Sequence, residues 1–86
     1  MPYISHEERD GYAARGINEL SDGISLPGQL NYVITKLVLN YMERDYINYS
    51  RIALVTGVLE NVKQEFYRRF AAPYEDKKKE ENGDVY

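Results

Sequence analysis

The sequence predicts an all-α fold, and three stretches carry that expectation. Residues Arg51 to Phe70 read as a long helix with no interior proline. Leu30, Val33, Ile34, Leu37, Val38 and Tyr41 recur at i, i+3, i+4, i+7, i+8 and i+11, the template for one buried stripe on a helix. Ser5-His6-Glu7-Glu8 matches a capping box, in which serine accepts from the glutamate amide while the glutamate reaches back to the serine amide.

Taken in order, the chain starts a helix near His6, but Gly11 and Gly16 each cost about 1 kcal/mol relative to alanine inside a helix. A weak or broken first helix is expected. Its better part is Ala13 to Leu20, ending near Ser21-Asp22-Gly23, where glycine can take the left-handed conformation that closes a helix. Ile24 to Pro27 is a connector, and Pro27 suits the first turn of the next helix, where its missing N–H has no partner to lose. That second helix runs out in Glu43-Arg44-Asp45, and Asn48 or Ser50 is the candidate N-cap of the long helix. A short connection joins antiparallel neighbours. The expected architecture is therefore a helix hairpin over about 27–45 and 49–72, with Leu37 and Leu59 in its core, a weak N-terminal helix and a charged C-terminal tail.

In the long helix, Ile52 to Leu59 is apolar or small all round, the mark of a helix buried on more than one side. From Glu60 onward only Val62, Phe66 and Phe70 continue the stripe of Ile52, Val55 and Leu59. Gly57 joins Ser50, Ala53 and Asn61 in a small-residue track that either lets another backbone approach or is merely tolerated. Pro73 restricts the residue before it from helical geometry, so the helix should stop or kink there. Residues 1–73 then form the helical domain and 74–86 a charged tail, helical at best and without an apolar face, with a break at Asn82-Gly83. The tail either frays or docks, with Arg68 and Arg69 meeting Glu75, Asp76 or the terminal carboxylate.

Composition narrows the function classes. An 86-residue chain is one small domain, often marginal alone, so association would help it. Nine tyrosines against two phenylalanines and no tryptophan suit half-buried seams and interfaces, because a phenol needs a partner for its hydroxyl. With no cysteine and the single His6, neither a disulfide framework nor a thiolate or histidine-rich zinc site can form. The first residues lack the pattern of a signal peptide and no apolar run is long enough to span a membrane, so a cytoplasmic location is expected. A net charge of −3 argues against a general affinity for nucleic acid. No cofactor and no metal are expected.

The candidate binding residues are Glu60, Lys63, Tyr67, Arg68, Arg69 and Tyr74, with Gln64 beside them. As chemistry, Glu60 could act as a general base or a magnesium ligand, with Lys63 and Tyr67 on a phosphate or other anion. As structure, Glu60 with Gln64, Lys63 with Tyr67 and Glu65 with Arg69 are ordinary i, i+4 neighbours on a solvated helix. Arg68, Arg69 and Lys77 to Lys79, interleaved with Tyr67 and Tyr74, have the composition of a nucleic-acid stacking platform, but Glu75, Asp76, Glu80 and Glu81 cancel its field. The all-α nucleoside triphosphate pyrophosphohydrolases hold magnesium with carboxylates one helical turn apart on two helices. Here Glu7 with Asp10, Asp76 with Glu80 and Glu81 with Asp84 have nearly that spacing, yet they fall in a capping turn, in the charge run and across Gly83. The long helix offers Glu60 and then the cation Lys63. A small non-enzymatic interaction or assembly module, self-associating as a homodimer, is the favoured function, with a metal-dependent nucleotide hydrolase of that all-α type as the alternative.

Met1-Pro2-Tyr3-Ile4, Leu30-Asn31-Tyr32-Val33-Ile34-Thr35, Leu59 to Arg69, Pro73 to Lys77 and Glu81 to Tyr86 resemble a family of small uncharacterised bacterial, archaeal and phage proteins. The resemblance covers nearly the whole chain and is weakest over the first twenty or so residues. It implies a complete free-standing protein and transfers no catalytic role.

Overall fold

The computed structural model describes residues 3–86, so the first two residues of the Met1–Ile4 motif, and of the expected 1–73 domain, lie outside it. Among the described residues the regular structure is entirely helical: α1 (His6–Ala14), α2 (Ile17–Asp22), α3 (Pro27–Glu43), α4 (Tyr49–Phe66), a π-turn (Tyr67–Ala71) and α5 (Ala72–Asn82). The chain divides into two compact units, residues 3–52 and Ala53–Tyr86, with the division falling inside α4.

In the first unit the helices begin and end on local devices. Ser5 Oγ accepts from the Glu8 amide at 3.1 Å, and the Ser5 amide donates to Glu8 Oε1 at 3.5 Å, so the capping box forms as expected. The expected better part, Ala13 to Leu20, is broken. Gly16 sits at φ 91° as the N-cap of α2, a left-handed position that a side chain would strain, whereas Gly23 closes α2 at φ −82°. The left-handed glycine is thus Gly16 and not Gly23, and it turns one expected helix into two. α3 starts on Pro27, and Gln29 Oε1 takes the amides of Ser25 and Leu26 at 2.8 and 3.0 Å, satisfying donors ahead of its first turn. Of the two candidate caps for α4, Asn48 does the work: its Oδ1 accepts from the Arg51 amide at 3.0 Å.

The connection between α3 and α4 is held by Arg51. Its Nη2 donates to the carbonyls of Tyr41 and Met42 at 2.6 and 3.4 Å, and its guanidinium lies 5.1 Å from the centre of the Tyr41 ring. A cation on the free carbonyls of a helix end complements both their unmet acceptors and the helix dipole.

In the second unit the helix does not stop at Pro73. Proline has no N–H, and its ring clashes with the carbonyl four residues back in a regular helix. The turn just before it is widened instead. The Ala72 amide donates to the Tyr67 carbonyl, five residues back, and Pro73 occupies the first turn of α5. The charged segment is consequently helical to Asn82, and Gly83 at φ 88° ends it.

No described residue is buried. Ile24, Val33, Val38, Met42 and Val55 are partly covered, but Leu37 and Leu59, expected in the core, are 60% and 42% exposed. The reason is the small number of layers within each unit: a helix stripe is buried only when another element lies along it. Gly57 likewise has no atom within 4 Å of where a Cβ would stand, apart from its chain neighbours and the backbone of its own helix.

Candidate functional site

The candidate residues lie on one continuous run of helix but do not converge on a point. They form three local sets. Glu60 accepts from Gln64 Nε2 at 2.9 Å and pairs with Lys63 Nζ at 3.5 Å, and these two neighbours, the amide first, hold the Glu60 carboxyl below its ordinary value. One turn on, Glu65 takes both arginines: Arg69 Nε donates to it at 2.8 Å and Arg68 Nη2 at 2.9 Å. Those hydrogen bonds, Arg69's the larger, keep the Glu65 carboxyl below the usual carboxylate range. Tyr67 belongs to neither set. Its hydroxyl donates to Glu75 Oε2 at 3.0 Å across the π-turn, and the carboxylate raises the phenol's pKa above its ordinary value. Tyr74 carries the Lys78 ammonium 5.6 Å from its ring centre.

Three consequences follow from this geometry. Lys63 and Tyr67, expected side by side on an anion, have separate carboxylate partners, Glu60 and Glu75. Arg68 and Arg69, expected to meet carboxylates of the tail if it docks, are both bound to Glu65 one turn before them. The ion pairs are solvated, with side chains such as Lys63 72% exposed, and exposed pairs contribute little because water and salt screen them. Among the described residues no three His, Asp or Glu side chains gather as a metal site would require, and no helix is long and apolar enough to cross a membrane.

Two residues matter more than sequence reasoning ranked them. Glu65 is the pivot for both arginines and its side chain is only 27% exposed; its i, i+4 spacing to Arg69 is legible, but the fork to Arg68 is not. Arg51 bridges two elements, and the only hint in the sequence is a cation just after a short connection. Away from all of these, a hollow of 540 Å³ lies between α2 and α3, lined by Leu20, Ile24, Gln29, Tyr32 and Val33 among others. Glu19 is its one carboxylate.

Residues 1–85 match the family described as a domain of unknown function, DUF6899. No curated protein and no solved structure matches the chain. The family match spans the motifs on which the resemblance was drawn up to Val85, and the chain belongs to the DUF6899 family.

Proposed function

We propose that this chain is a non-enzymatic assembly module of the cytoplasm, which completes its core by pairing with a second copy of itself. The observation that carries the reading is the missing core. No described residue of either unit is buried. Much of the exposed area is apolar and ordered along helices, as the 49%, 42% and 60% exposures of Leu30, Ile34 and Leu37 illustrate.

The separate, self-satisfied polar sets favour this reading over a reaction centre. Glu60, Glu65 and Glu75 each have a neighbour of the same helix run as partner, and none is left aimed at a shared space. The test is sedimentation velocity with thermal melting over a hundredfold dilution. A dimer whose melting temperature falls on dilution is expected, because association stabilises by mass action. A monomer at every concentration, melting at one temperature, overturns the proposal.

A further inference from the structure

We infer that Asn82 is a modification site: its side chain closes on the Gly83 nitrogen and is converted to aspartate or isoaspartate, at a pace set by how often the last turn of α5 opens. The reaction needs no second copy of the chain. The Gly83 nitrogen, once it has given its proton to solvent, attacks Cγ of Asn82. A bond forms between that nitrogen and Cγ, the bond from Cγ to the side-chain nitrogen breaks, and the leaving nitrogen takes up protons and departs as ammonia. Water then opens the five-membered imide. Opening at Cγ gives aspartate, and opening at the main-chain carbonyl gives isoaspartate, with one extra methylene in the backbone. One water is consumed, one ammonia is released and nothing is oxidised.

Glycine favours this closure because it places no side chain beside the attacking nitrogen. Asn82 is the one asparagine of the chain that has glycine after it; the other five precede glutamate, tyrosine or valine. Asp10-Gly11 and Asp22-Gly23 have the glycine without the amide leaving group. Asn82 and Gly83 are both exposed, so water reaches them. Gly83 cannot readily be replaced, since it ends α5 at φ 88° and ψ 152°, a conformation open essentially to glycine alone. The residue that terminates the helix is thus the one that leaves Asn82 vulnerable.

The folded chain restrains the reaction at two points. The Gly83 N–H donates to the Lys79 carbonyl at 2.8 Å, a bond it must give up before it gives up its proton. Asn82 is the last residue of α5, and a helical ψ keeps the next nitrogen out of the ring-closing orientation. Unwinding of the last turn releases both restraints together. That turn is lightly held. Its Lys78–Glu81 pair, at 3.2 Å, has side chains 48% and 46% exposed. Beyond Gly83, Val85 and Tyr86 are 93% and 113% exposed and lend the helix end no cover. Unsupported termini open at little cost in free energy.

Conversion loosens the same turn. The net charge passes from −3 to −4, and the new carboxylate stands at the negative end of the α5 dipole, between Glu81 and Asp84. In isoaspartate the added methylene also puts the amide of residue 83 out of register with the Lys79 carbonyl. The change is one-way.

The experiment incubates the full chain at neutral pH beside a synthetic peptide of residues 79–86. Peptide mapping reads the amide-to-acid mass gain at residue 82, an isoaspartyl methyltransferase reads the isoaspartate, and hydrogen exchange reads the protection of the Gly83 amide. Product at residue 82 is expected, formed more slowly than in the peptide by the same factor as the Gly83 amide is protected. Lys78→Gly removes the pair with Glu81 and puts a poor helix former in the last turns; it should speed the conversion at least threefold and lower the protection in step. Asn82→Gln should stay unmodified. No product at residue 82 after the peptide has been fully converted overturns the site. Equal rates in the wild type, Lys78→Gly and the peptide overturn the control by the helix end.

Discussion

Residues 3–52 and Ala53–Tyr86 are both helical, yet they are held in different ways. In the first, order comes from the ends of helices: Ser5 and Glu8, Gln29, Asn48 and Arg51 all place side chains on backbone groups that a helix terminus leaves unmet. In the second, order comes from the length of one helix run, through side chain to side chain pairs: Glu60 with Gln64, Glu65 with two arginines, Tyr67 with Glu75 and Lys78 with Glu81. The difference teaches where each region is vulnerable. Terminus devices are single points whose loss is felt at one helix, whereas a ladder of exposed pairs loses little with each rung and depends on what covers its apolar side.

The largest expected effect tests that dependence. Leu59→Ala should cost about 2–5 kcal/mol of stability if a second copy covers the apolar stripe of α4, measured by denaturant unfolding at fixed protein concentration, while Val85→Ala, at a position 93% exposed, should be near neutral. A Leu59→Ala midpoint equal to the wild type would mean that its exposure in the single chain persists in solution, and the contrast between the regions would lose its energetic half.

Next comes Gly16→Val, which forces a β-branched side chain into φ 91°. A cost of about 1–2 kcal/mol is expected, read by the same unfolding experiment, with the loss of amide protection confined to α1 and α2. Ser5→Ala should cost about 1 kcal/mol and fray α1 alone, visible as faster exchange of the Glu8 amide. Protection lost equally in α4 would show that the two regions do not fail independently.

The smallest effect is the response to pH, and it belongs to the second region. Glu65 has a lowered pKa in the folded chain, so its contribution is present above the unfolded value and is lost as pH falls through the folded one. Tyr67 has a raised pKa, so its contribution is present below the unfolded value, about 10, and is lost as pH rises through the folded one. Helicity near the π-turn should soften at both extremes. Glu65→Gln should remove the acid limb and Tyr67→Phe the alkaline one, and an unchanged acid limb in Glu65→Gln would assign it elsewhere.

What the sequence by itself determined is whatever a few neighbouring residues can specify. The capping box at Ser5, the start of α3 at Pro27, the break at Gly83 and the periodic stripe of α3 are all local, with the partners within four residues or on one helical face. So are the pairs Glu60 with Gln64 and Glu65 with Arg69. The candidate set was legible as a list of residues but not as an arrangement, because spacing names possible neighbours without saying which partner each side chain takes. Only the folded chain decided that Gly16 and not Gly23 takes the left-handed turn, since either glycine can adopt it and the choice depends on how the flanking helices are capped. It likewise decided that the helix passes Pro73 through a π-turn: proline forbids one hydrogen bond, and the backbone can answer by ending, bending or widening. Widening leaves Pro73 in the first turn of α5, so the charged segment continues as helix to Asn82.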